Sequence, residues 1–91
     1  MANSITTTGT DPGPVETEHQ PGQSVRAWVG AHSEALNEVV PNGDTLVTTW
    51  VCSQGTRSTT TTRQDDESDA QFMSRHQLEF VLDMLDCEPI P

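Results

Sequence analysis

Two cysteines, Cys52 and Cys87, and two histidines, His32 and His76, are the side chains best suited to chemistry in this 91-residue sequence. Together they are the donor types of a tetrahedral zinc site. Structural zinc sites usually bring ligands in close pairs, and no CxxC or HxxxH spacing occurs here. Neither a metal nor any other cofactor is therefore expected. The same four residues are the basis for a thiol nucleophile with a histidine base. A reactive thiol needs a cation or a helix N-terminus beside it. Cys87 instead stands between Asp86 and Glu88, at the end of a helical pattern, where thiolate formation is opposed. No catalytic residue is assigned, and the chain is expected not to be an enzyme.

The cysteines lie 35 positions apart. The N-terminus has neither a basic region nor an apolar stretch, so no secretory signal is visible. Both cysteines are expected to be reduced in a cytoplasmic setting, Cys52 as a small core residue and Cys87 at a helix end. A disulfide is the alternative in an oxidising compartment. The acidic run Asp65, Asp66, Glu67, Ser68 and Asp69 lacks the alternating ligands and glycine of a calcium loop, and a helix start explains it better. No GxGxxG, Walker-type or GxSxG segment is present.

The elements that must position these residues follow from periodicity. Ser24 caps a helix to about Val39, with Val25, Trp28, Val29, His32, Ala35, Leu36 and Val39 on one stripe. His32 on that stripe is expected to be buried and hydrogen-bonded. Pro41, Asn42, Gly43 and Asp44 turn the chain. Residues 45–53 are rich in β-branched and aromatic types and predict a strand, with Leu46, Thr48, Trp50 and Cys52 on one face. Gln54 and Gly55 form a turn into a threonine-rich partner, residues 56–64, expected at a sheet edge. Ser68 with Gln71 fits a capping box for a second helix running to about Asp86. Trp28 and Trp50 are expected to anchor the core. No internal repeat is visible.

Composition limits the rest. Leu, Ile, Val and Phe make up 17 of 91 residues and the net charge is −10, which approaches the signature of a disordered chain. Residues 1–22 carry most of that bias and predict a disordered, acidic, Thr- and Pro-rich tail. Residues 23–91 then form one α+β domain of order helix, strand, strand, helix, around a two-stranded antiparallel hairpin. With fourteen acidic residues against four arginines and no lysine, direct binding to nucleic acid or to an anionic membrane is not expected.

The second helix gives the functional expectation. Met73, Leu78, Phe80, Val81, Leu82, Met84 and Leu85 spread over about 200° of arc, where an ordinary surface helix needs a stripe of only ~100°. One neighbour cannot cover so wide a face. A small interaction module follows (subunit, adapter or inhibitor), using Met73, Leu78, Phe80, Leu82, Met84 and Leu85 with Glu79 and Asp83 as a polar rim. Its partner is another protein or a second copy. An acidic mimic that occupies a basic nucleic-acid-binding protein is the alternative, and a thiol or metal enzyme is third.

Overall fold

A computed structural model of the chain describes residues 3–89. The chain runs β1 (Ser4–Thr8), β2 (Thr10–Asp11), β3 (Val15–Glu18), α1 (Val25–Leu36), β4 (Val40–Pro41), β5 (Thr45–Cys52), β6 (Gly55–Thr62) and α2 (Asp69–Asp83). The main sheet is antiparallel with order β3-β1-β5-β6, and β2 pairs with β4 in a small second sheet. The fold is thus a small α+β one with two helices and antiparallel sheets.

Strands precede the first helix, which corrects the expected helix–strand–strand–helix order. Ser4 to Glu18, expected in a disordered tail, forms β1, β2 and β3, with Ile5, Thr7 and Thr10 buried. Met1 and Ala2 of that segment lie outside the described residues. The physical reason is that β1 does not bury itself. It inserts between β3 and β5, so partners supply the apolar surface and main-chain bonds that its own composition lacks.

Both helices lie over one sheet face. Ile5, Thr7, Leu46, Thr48, Trp50 and Cys52 point into that layer, and Trp28, Leu36, Phe72, Phe80 and Met84 close it from above. Trp28 and Trp50 are buried anchors as expected, and β6 is an edge strand as expected. Ser24 and Ser68 cap the helices, each accepting a bond 3.1 Å long from the main chain three residues on. At Ser68, Gln71 returns the bond and completes the capping box. Gly9 has φ +87°, and a Cβ there would stand 2.1 Å from the Thr45 oxygen, so only glycine fits the close approach after β1.

The architecture contains a duplication that the sequence hides. β1–β3–α1 and β5–β6–α2 are two ββα units, and the Thr7–Thr48 pair sits at the centre of the β1–β5 ladder. From Val15 onward the units correspond at a shift of 44 residues. Gly22 (φ 76°) matches Asp66 (φ 67°) in the loop before each helix. Gln23 N donates to Gln20 O, as Glu67 N does to Gln64 O. Gln20 N bonds Gln23 Oε1 at 3.0 Å, as Gln64 N bonds Glu67 Oε1 at 3.0 Å. His19 packs on Trp28 with ring centres 4.9 Å apart, where Arg63 lies 4.7 Å over Phe72. Between residues 15–41 and 59–85, however, the only shared identities are Thr17/Thr61, Gln20/Gln64, Ser24/Ser68 and His32/His76.

Candidate functional site: a buried histidine–threonine chain and the outer face of the second helix

Each ββα unit offers one histidine, from the middle of its helix, to two threonines of its own strands. His32 Nδ1 and Nε2 lie 2.8 Å from Thr17 Oγ1 and 2.7 Å from Thr7 Oγ1. His76 Nδ1 and Nε2 lie 2.7 Å from Thr61 Oγ1 and 2.6 Å from Thr48 Oγ1. Thr7 and Thr48 join the two sets at 2.6 Å, and Thr61 donates to Glu79. The result is one hydrogen-bonded chain, Thr17–His32–Thr7–Thr48–His76–Thr61–Glu79, through the centre of the protein.

The direction of this chain is fixed by counting hydrogens. Each hydroxyl has one proton to give and each neutral imidazole one N–H. Thr61 gives its proton to Glu79, so it accepts from His76 Nδ1–H. His76 Nε2 then accepts from Thr48, Thr48 accepts from Thr7, and Thr7 accepts from His32 Nε2–H. His32 Nδ1 accepts from Thr17. The two histidines are therefore opposite tautomers in matching positions. Both are fully buried. Desolvation first, and then the neighbouring His76, push the His32 pKa down to about 4. Desolvation likewise pushes His76 down to about 4, with Glu79 opposing and Arg75 adding to the shift.

The expected buried, hydrogen-bonded His32 is found. The reduced thiols are not, because Cys52 and Cys87 form a disulfide. The pairing comes from a strap after α2. Ser53 N donates to Glu88 O and Gln54 Nε2 to Asp86 O, which brings Cys87 against the end of β5. With both sulfurs bonded to each other and all four imidazole nitrogens held by threonines, these side chains are not a free ligand set or a free thiol–imidazole pair. Among the described residues no other group of three or more His, Cys, Asp or Glu is gathered as metal ligands. Nor is any described helix long and apolar enough to cross a membrane.

The residues expected at the partner face divide in two. Met73, Phe80 and Met84 are buried in the core, and this corrects their assignment to an open surface. Their side of α2, with Met84 at its C-cap, covers the sheet together with Phe72, a residue outside the expected apolar arc. Leu78, Leu82 and Leu85 are open, at 61%, 57% and 72% exposure. Glu79 and Asp83 stand beside them, accepting hydrogen bonds from Thr61 and Thr59 of β6. Two shallow clefts of about 300 and 250 Å³ lie at opposite ends of the antiparallel helix pair. The chain matches no family model, no curated protein sequence and no solved structure.

Proposed function

We propose that the protein is a non-enzymatic interaction module that binds another protein surface through the outer face of α2. The observation that carries this reading is the exposure of Leu78, Leu82 and Leu85 on one stripe, beside a core that closes without them. Apolar side chains grouped in this way mark contact surfaces more often than isolated ones do. Glu79, Asp83 and the exposed Asp86 rim the stripe, so the complementary surface is apolar at its centre and carries cations at its edge.

The acidic-mimic reading has less support. Asp69 pairs with Arg63, Glu67 with Arg75 and Asp86 with Arg57, while Glu79 and Asp83 serve β6. Carboxylates so engaged are a poor imitation of a free phosphate array. The expected cytoplasmic setting rested on the lack of a visible secretory signal, and the Cys52–Cys87 disulfide favours instead a compartment in which disulfides persist.

Leu82→Asp tests the reading. A thermal melt should stay within about 0.5 kcal/mol of the parent, as for other surface changes, while association measured by sedimentation is lost. An unfolded Leu82→Asp protein would mean that the stripe is core, and the reading would fail.

A further inference from the structure

Because the frame repeats, the two outer flanks can be compared position by position. Each flank is an edge strand with the helix beside it. The first carries Glu16 and Glu18 on β3, Glu34 on α1 and Glu38 in the turn just after it, all exposed. Forty-four residues on, the same places hold Thr60, Thr62, Leu78 and Leu82, also exposed. A carboxylate stands at each of these positions on one flank and at none of them on the other.

Edge strands present unpaired N–H and C=O groups, and charged side chains and short length keep them from pairing. β3 has four residues, two of them glutamate, whereas β6 has eight and Arg57 is its only charge. Cys52 and Gly55 close a two-residue turn, so they exchange main-chain bonds and alternation sets the rest. Gly55, Arg57, Thr59 and Thr61 bond to β5. Thr56, Ser58, Thr60 and Thr62 turn their main-chain groups outward. Arg75 reaches Thr62 O from that side at 2.6 Å, which leaves the edge open at residues 56, 58 and 60. Leu82 lines a further open cleft with Ser58, Thr59 and Thr60, so the open edge and the leucine stripe are one continuous surface.

We infer that this flank is a self-association surface on which β6 pairs antiparallel with β6 of a second copy, while Leu78 and Leu82 of both α2 helices meet beside the joint. The inference rests on the interaction-module reading and names its partner. Two four-stranded sheets become one of eight strands, and a two-fold interface of this kind needs a self-complementary surface. The register centred on Ser58 provides one. It sets Arg57 against Thr59 of the partner subunit, the residue that bonds Asp83, so unlike charges meet twice. The first flank, with glutamates at the same four places, would set carboxylate against carboxylate.

Sedimentation equilibrium of the full chain from micromolar to about 1 mM tests this, a range that captures even weak dimers. The expected mass is twice 9.9 kDa. Two variants should each weaken the dimer at least ~30-fold, the scale of a hot-spot loss. Leu78→Glu with Leu82→Glu copies the first flank onto the second. Ser58→Pro removes an outward N–H, a change that edge strands tolerate. Glu34→Gln with Glu38→Gln, on the other flank, should change nothing. A monomer throughout the range, or a dimer indifferent to both variants, overturns the inference. If the glutamate variant melts like the parent in those cases, only the second copy is wrong. If it unfolds, the interaction reading falls with it.

Discussion

The two ββα halves keep the same interior and differ in what they turn outward. Inside, each helix starts from a serine cap, sets an aromatic residue over the sheet (Trp28 or Phe72) and places a histidine between two threonines. Outside, the first half presents glutamates on its edge strand and helix, and the second presents threonines and leucines. The second half is also stapled by Cys52–Cys87, for which the first has no counterpart. The comparison separates the residues that hold the fold from those that choose what the fold meets.

The shared interior fails most strongly in acid, and in both halves alike. Both imidazoles titrate near 4 in the fold, against ~6.5 in an open chain. Between those values the unfolded state binds more protons, so the stability present above pH ~6.5 is lost as pH falls toward 4. Each histidine accounts for about 3 kcal/mol at full effect. A denaturant series from pH 7 to 4 should show a steep loss, and His32→Gln or His76→Gln should flatten it.

The staple has the next largest expected effect. Opening a loop of this length costs up to about 4 kcal/mol in the chain-entropy picture. Cys52→Ser with Cys87→Ser should therefore lower the melting temperature markedly. Hydrogen exchange should rise mainly in the strap and the β5–β6 turn, because no bridge ties the first half.

The caps differ by less. Ser24→Ala should cost about 0.5–1 kcal/mol and Ser68→Ala about 1–2 kcal/mol, since only Ser68 belongs to a capping box. Chemical denaturation of the two variants resolves that gap. The most delicate difference is the proton placement. Side-chain nitrogen shifts at neutral pH should identify His32 as the Nε2–H tautomer and His76 as the Nδ1–H tautomer. Finding the same tautomer at both would break the one-way chain.

What the sequence made legible is what leaves a local mark. Ser24, Ser68 and Gln71 announce the helix starts, and Trp28 and Trp50 announce core positions. The β-branched run from Thr45 announces a strand, and the threonine-rich run after it, which has no strongly apolar residue, announces an edge. β1 and β3 left no such mark. Ile5, Thr7, Val15 and Thr17 are too few and too polar for an apolar alternation, because the buried Thr7 and the half-buried Thr17 face inward as hydrogen-bond partners of His32 rather than as hydrophobes. The duplication was hidden because matching positions keep a role and not a residue, as with Gly22 and Asp66 or Trp28 and Phe72. Phe72 itself was masked by the acidic helix start three residues before it. The disulfide was hidden because its partners come from distant segments with no paired-cysteine spacing. Of the partner face, spacing alone made the arc too wide; only the packing separates Leu78, Leu82 and Leu85 from Met73, Phe80 and Met84.

The difference between the two flanks is tested most directly by hydrogen exchange at the outward amides of the two edge strands, followed against protein concentration. Thr56, Ser58 and Thr60 should become protected as concentration rises, while Glu16 and Glu18 stay unprotected throughout. Equal and concentration-independent exchange at both edges would contradict it.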